Sequence, residues 1–214
     1  MKEKVFFKRI EHIWQYYKVL VIGIIGGIIL LLMLDIPSLI AKPETIWGAY
    51  YVNSTLTSDE AQNIVEDFQK DFLQDKDEKH EYIFDTNLTF SIGQTAAGDF
   101  DQMAKFTALI AAKELDFIIA EEPILEHYAS LGGFIQLDSL LSEEEKEKWK
   151  EDFIYLAGED GIERAYALDL THTILNSGSN YNGEKILGSI PLNSEEAEIT
   201  QQYIQYLLVT KSED

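Results

Sequence analysis

Apolar and polar residues follow one another along much of the chain in patterns typical of strands and helices. Residues 45–52 (TIWGAYYV) are apolar on both faces of an extended chain, which predicts a strand in the middle of a helix-covered sheet. Thr57 and Glu60 have the spacing of a capping box, so a helix is expected to begin there. Its apolar residues recur at helical spacing: Ala61, Ile64, Val65, Phe68 and Phe72.

The same order of elements continues towards the carboxyl terminus. Further strands are predicted over residues 82–90, 115–120, 165–170 and 185–191. Helices are predicted over residues 100–113, 123–131, 142–153 and 194–208. In the first half, strands and helices alternate, with crossovers long enough for parallel pairing. The predicted fold class is therefore α/β, with a mostly parallel sheet covered by helices.

One segment departs from this pattern, because residues 19–34 (VLVIGIIGGIILLLML) contain no charged or strongly polar side chain. With the tyrosines before it and Ile36 after it, the run reaches the roughly 20 residues that a helix needs to cross a bilayer core. We expect a transmembrane helix over residues 19–36. A cleaved signal peptide is the alternative, but Leu39 stands where cleavage after Ala41 would need a small residue.

Charge is distributed unevenly on the two sides of this run. Residues 1–18 carry five basic and two acidic side chains, whereas residues 35–214 carry 12 basic and 36 acidic ones, a net charge of −24. Basic flanks stay inside, so residues 1–18 are expected to form a cytoplasmic tail and the remainder to be extracytoplasmic. A body this acidic repels phosphate backbones, which excludes nucleic acid as a partner.

The remaining organisation follows from smaller signals. Residues 37–44, with two prolines, are expected to form a tether, residues 45–209 one domain, and residues 210–214 a frayed tail. Gly23 and Gly27 form a G-x-x-x-G pattern, which can bring two membrane helices together as a homodimer. The general frequency of glycine in membrane helices is the other explanation.

Residues that would carry chemistry are scarce. The chain has no cysteine, which excludes disulfides, thiolate nucleophiles and lipid-modified cysteine. Its four histidines lack the spacing of a helical metal site, there is no G-x-S-x-G elbow, and Glu184 stands where a phosphate-binding loop needs lysine. We therefore expect no metal, no cofactor and no enzymatic activity.

A ligand site, if one exists, is expected at the carboxyl ends of the strands. The candidate residues at those positions are Tyr51, Asn53, Ser91, Gln94, Thr95, Glu121, Asp169 and Thr171. An aromatic ring with amides and a carboxylate suits a sugar or a peptide, but the same residues also form an ordinary loop rim. Likewise, Glu121 and Glu122 are either ligand contacts or complements to the dipole of the helix that follows.

Three stretches of the outer domain carry a resemblance to a known family. Residues 115–145 (LDFIIAEEPILEHYASLGGFIQLDSLLSEEE) contain a strand, a helix and an apolar turn in succession. Residues 164–169 (RAYALD) and 185–193 (KILGSIPLN) add two further strands. This order resembles the extracellular solute-binding proteins of ABC transporters, of the periplasmic-binding-protein-like type 2 class. The resemblance implies that the second stretch leaves for a second lobe and that the third returns from it.

The departure from that family is the short connection. Only residues 170–184 lie between the crossing and the return, too few to build a lobe. The resemblance therefore implies a single lobe at the bacterial cell surface that contacts an envelope or membrane-protein partner, without catalysis. The alternatives are a solute receptor that completes its cleft with another chain or a transporter subunit, and an anchored enzyme.

Overall fold

The computed structural model describes residues 17–20, 22–30, 44–77, 79–93, 97–176 and 185–210. The chain divides into two compact units, Met1–Pro43 and Glu44–Asp214. In the first unit, residues 17–20 and 22–30 are helical. Within the ranges described, no helix has both the length and the apolar composition needed to cross a membrane.

Several expectations for the chain ends fall beyond the described residues. Of the expected membrane span over residues 19–36, residues 21 and 31–36 are not among the described residues. The same holds for residues 1–16 of the expected basic tail and for residues 37–43 of the expected tether. Of the expected frayed tail, only Thr210 is described.

The second unit alternates strands and helices. The strands are β1 (Glu44–Tyr51), β2 (His80–Asp85), β3 (Phe117–Glu121), β4 (Phe153–Ala157), β5 (Glu163–Asp169) and β6 (Ile186–Ser189). The α-helices are α1 (Ser58–Asp67), α2 (Ala97–Ala112), α3 (Glu122–Ser130), α4 (Glu143–Lys148) and α5 (Ala197–Val209). A π-helical turn, Phe68–Phe72, continues α1, and the 3-10 turns Leu137–Ser139 and Ile174–Asn176 precede α4 and β6.

The six strands form one mixed sheet in the order β2-β1-β3-β6-β5-β4. β1 pairs in parallel with β2 and β3, whereas the pairs β3–β6, β6–β5 and β5–β4 are antiparallel. The α/β class is confirmed, but the expectation of a mostly parallel sheet is wrong. For β4 and β5 the physical reason is their short connection, residues 158–162, because strands joined by a tight hairpin must run antiparallel. β6 then pairs antiparallel with both β3 and β5.

The element boundaries differ from the prediction by more than three residues in two places. α4 ends at Lys148, although a helix was predicted as far as Phe153, and the next residues form β4. Pairing with β5 and burial of Trp149 at the helix end outweigh the helical pattern of the charged residues. β2 ends at Asp85, so the predicted extension to Phe90 is also wrong.

Both faces of the sheet carry a core. On one face, α1, the π turn and α5 cover alternate residues of the strands, including Trp47 and Phe117. The rings of Phe68 and Tyr203 lie 4.9 Å apart between centroids, so α5 packs on the same face as α1. α2 and α3 cover the opposite face, where Phe106 is buried.

The capping box predicted at the start of α1 is present, but the far end of the helix differs. The Thr57 hydroxyl accepts a hydrogen bond from the Glu60 amide, and the Glu60 carboxylate accepts one from the Thr57 amide. After Asp67 the backbone widens into the π turn, in which the Leu73 amide donates to the Phe68 carbonyl. This turn shifts the phase of the helix, so Phe68 is buried while Phe72 is 37% exposed.

Candidate functional site

The carboxyl ends of four strands lie at one edge of the sheet. β1, β2 and β3 run parallel, and two successive antiparallel pairings turn β5 back into the same direction. Tyr51, Glu121 and Asp169 are the last residues of β1, β3 and β5, so their backbone positions share this edge. Asn53 and Thr171 lie two residues after the ends of β1 and β5, whereas Ser91 lies six residues beyond the end of β2. Gln94 and Thr95 lie outside the described residues.

Asn53 shapes a loop at this edge. Its side-chain amide donates to the Phe90 carbonyl and its side-chain oxygen accepts from the Phe90 amide, each over 3.1 Å. The Asn53 amide also donates to the Leu88 carbonyl over 2.9 Å, and the residue adopts a left-handed backbone with φ of 57°. Asparagine tolerates this conformation better than most residues. Asn53 therefore holds residues 88–90 against the end of β1.

The candidates on β5 and after it make internal bonds as well. An Asp169 carboxylate oxygen accepts from the Thr171 amide over 2.9 Å. The buried Thr171 hydroxyl accepts from the Ile186 amide over 3.1 Å, and the Thr171 carbonyl accepts from the Asn176 side chain. These bonds fold the chain between β5 and β6, so Thr171 has a structural role.

Tyr51 and Glu121 do not converge with Asp169 on one ligand position. Side chains alternate between the faces of a strand. Tyr51 is 5% exposed within the core under α1 and α5, and Glu121 follows Ile119 on that same face. Asp169 follows Ala167 on the opposite face. The structure thus places Tyr51, Glu121 and Asp169 at one edge but divides their side chains between two faces of the sheet.

Glu121 also ends β3 and occupies the N-cap position of the helix that follows, without a side-chain capping hydrogen bond. It is the N-cap of α3, with Pro123 in the first turn and Glu122 as the first helical residue. Negative charge at this position complements the helix dipole, which agrees with the structural interpretation of the Glu121 and Glu122 pair.

A buried polar network includes the side chains of Asp116 and Trp47, and the sequence pattern does not predict it. The carboxylate of Asp116, 4% exposed, accepts from the Gly48 amide over 3.1 Å and from the Ser194 hydroxyl over 2.8 Å. The indole of Trp47 donates to the Thr200 hydroxyl over 2.9 Å. These bonds join β1 to the loop before β3 and to α5. The only signal in the sequence was an aspartate within an apolar run.

His80 belongs to a hydrogen-bonded cluster at the start of β2. Among the described residues, no group of three or more histidine, aspartate and glutamate side chains could hold a metal ion. Nδ1 of His80 lies 2.7 Å from the Asp75 carboxylate, which also accepts from the Tyr82 hydroxyl over 3.0 Å. The hydrogen bond to Asp75 raises the pKa of His80 above its ordinary value. This cluster fastens the loop before β2.

An open groove of about 540 Å³ lies beside the hairpin that joins β4 to β5. Its charged residues include Arg164, whose guanidinium makes two hydrogen bonds of 2.8 and 2.6 Å to Asp160. Hydrogen bonds from Arg164 hold the pKa of the Asp160 carboxyl well below its usual range. Because this arginine is already neutralised, the groove is not suited to an anionic ligand.

A second open groove, which we call the acidic groove, has a volume of about 350 Å³. It lies between the π turn and the end of α5, and its lining residues are Asp67, Asp71, Phe72, Tyr206, Val209 and Thr210. The rings of Phe72 and Tyr206 are 5.8 Å apart between centroids in an edge-to-face arrangement. Two carboxylates thus border an aromatic and aliphatic surface.

No protein-family model, curated protein sequence or solved structure matches the chain.

Proposed function

We propose that this protein is a membrane-anchored, extracytoplasmic, non-enzymatic domain, derived from one lobe of a solute-binding protein, that contacts an envelope or membrane-protein partner. The runner-up, a solute receptor that completes its cleft with another chain, requires a wall for the ligand at the carboxyl edge of the sheet. The two functions differ in whether that edge captures a small molecule.

The pairing of β5 with β6 is the observation that carries the proposal. In the family that the sequence resembles, the chain leaves for its second lobe after the strand matched by β5 and returns in the strand matched by β6. Here only 16 residues separate Asp169 from Ile186, and the two strands pair directly. A domain reduced in this way lacks the length for a two-lobed clamp, since closure around a solute needs two walls.

The internal bonds of the candidate residues support contact with a partner over capture of a solute. Asn53 and Thr171 bond to backbone groups, and Tyr51 is buried in the core. Specific small-molecule sites need several polar groups that converge on one position. Two of the candidate positions instead stabilise the loops of their own edge.

The anchor is supported by the first unit. Residues 19–34 carry no charge, and the helical residues 22–30 expose large apolar side chains on all sides. A helix that is apolar all round needs an apolar environment. The charge difference across the run favours a cytoplasmic amino terminus.

Protease treatment of intact cells tests this topology. We expect an added protease to digest residues 35–214 and to spare the amino-terminal tail, detected with an epitope at each end. The undigested full-length chain should remain in the membrane fraction. Recovery of a soluble product that begins near Lys42 would instead indicate a cleaved signal peptide and would refute the anchor.

A further inference from the structure

The acidic groove combines exposed apolar side chains with two carboxylates at its rim. Val209 is 68% exposed and Phe72 is 37% exposed, although both are large apolar side chains. Phe72 reaches this position because the π turn rotates it away from the core that Phe68 occupies. Single-turn π bulges within helices are frequent at functional sites.

The charges at the rim have one sign. Asp67 and Asp71 lie four residues apart, one turn along the same side of the helix. Lys70 is the cation nearest to them in sequence. Its ammonium group lies 2.6 Å from the Glu66 carboxylate, which raises the pKa of Lys70, and the charges of Asp67 and Asp71 contribute to the rise. Burial raises the pKa of the Tyr206 hydroxyl to about 12, and the charges of Asp67 and Asp71 contribute to the rise, which agrees with both carboxylates lying near the ring.

We propose that the acidic groove docks a lysine- or arginine-bearing segment of the partner protein. A cation placed between two carboxylates and two aromatic rings gains from ionic attraction and from cation–π contact. The aliphatic stem of such a side chain would cover Phe72 and Val209, since long basic side chains pack their stems on apolar surface. The inference rests on the proposed function, because it identifies the chemistry of the partner that the domain contacts.

Two observations favour a protein segment over other cationic ligands. The groove is open, so the residues on either side of an inserted side chain could continue across the surface. Residues 35–214 carry a net charge of −24, which attracts a basic partner before contact and repels an anionic lipid surface. The experiment must therefore distinguish binding in the groove from general attraction by the charge of the whole domain.

The test uses the full-length chain in non-ionic detergent and a fluorescein-labelled peptide of alternating lysine and serine. Fluorescence anisotropy measures its affinity against a matched peptide in which glutamine replaces lysine. The double variant Asp67→Asn with Asp71→Asn should weaken the lysine peptide by about fivefold or more, the sum expected for two exposed ion pairs. Phe72→Leu keeps an apolar side chain and should cost about two- to fivefold through the lost cation–π contact.

The matched control removes the same charge from the opposite face of the sheet. Asp101 on α2 and Glu126 on α3 are exposed, and these helices cover the other core. Asp101→Asn with Glu126→Gln should change the affinity by less than about twofold, because charges beyond a Debye length of about 8 Å are largely screened. Unchanged melting temperatures would verify that all variants are folded.

An equal loss of affinity in both double variants would show that the peptide binds through the overall charge of the domain, and this result would refute the docking inference. Binding of the glutamine peptide as tightly as the lysine peptide would refute it as well. Neither result bears on the protease experiment, since the topology does not depend on Asp67 or Asp71. A failure of the groove and a failure of the proposed function are thus distinguishable.

Discussion

At the scale of single residues, Gly48 joins two parts of the sheet that are distant in sequence. Its amide donates to the Asp116 carboxylate, and its carbonyl accepts from the Asp116 amide over 2.8 Å. A Cβ at this position would lie well inside van der Waals contact with the Glu114 carbonyl oxygen. The glycine is therefore required for the close approach of the loop before β3.

We predict that Gly48→Ala lowers the free energy of unfolding by about 1 to 3 kcal/mol, because the added methyl group forces the backbone at Glu114 to move. Urea unfolding measures the change. Gly98→Ala is the matched control, since a Cβ at Gly98 in α2 meets no described atom within 4 Å. Alanine should be neutral there or stabilise the helix by about 0.5 to 1 kcal/mol. Equal effects of both substitutions would contradict the steric argument.

The His80 and Asp75 pair predicts a dependence of stability on pH. The hydrogen bond with Asp75 raises the pKa of folded His80, so its contribution is complete below about 6.5 and is lost as pH rises through the folded pKa. Hydrogen bonds from the Asp77 amide and His80 lower the pKa of Asp75, so that contribution is present above about 3.9 and is lost as pH falls. The pair therefore stabilises the fold most between these two values.

We accordingly expect His80→Gln to lower the urea midpoint more at pH 5 than at pH 8.5. A wild-type advantage over His80→Gln that is equal at both pH values would mean that the ion pair contributes nothing and that only the packing of the ring matters.

At the scale of elements, α5 packs in the core that it shares with α1 and also bonds to α4. Ile204 and Leu207 are 2% and 0% exposed in the core shared with α1. On another side of the helix, Gln201 and Gln205 each donate to the Glu145 carboxylate of α4 over 2.8 Å. The helix is thus an integral layer of the domain.

We predict that Ile204→Ala with Leu207→Ala severely destabilises the domain. Each truncation of a buried aliphatic side chain costs about 2 to 5 kcal/mol, which is a large share of the stability of an ordinary domain. Thermal melting measures the loss of stability. If the double variant does not fold at all, soluble expression is lost. Gln202 is exposed on the same helix, and Gln202→Ala should change stability by no more than about 0.5 kcal/mol. If the double variant melts like the parent, α5 does not belong to the core.

At the scale of the whole molecule, we expect the carboxyl edge of the sheet to offer a small solute a single wall, because only 16 residues connect Asp169 to Ile186. We predict that the full-length chain binds common sugars, amino acids and short neutral peptides no more tightly than about millimolar, or roughly 4 kcal/mol. Isothermal titration calorimetry in non-ionic detergent measures this affinity. A micromolar dissociation constant for any of them would favour the solute receptor over the proposed function.

Several features of this fold could be predicted because they depend on residues close together in the chain. The capping box at Thr57 and Glu60 brings its partners together within a single helical turn. The two-sided burial of β1 follows from apolar residues at both even and odd positions, since a pleated strand faces two sides. The inward face of α5 repeats at helical spacing, and Tyr203, Ile204, Leu207 and Leu208 are all buried.

The rest depended on contacts between distant segments, which a local pattern does not record. Pairing with β5 made β4 a strand, β6 pairs antiparallel with both β3 and β5, and the π turn exposed Phe72 by changing the helical phase. For the candidate site, the sequence by itself indicated that Tyr51, Glu121 and Asp169 lie at the carboxyl ends of their strands. Only the tertiary structure decided that Asn53 and Thr171 hold loops there, because hydrogen-bond partners are chosen by proximity in space.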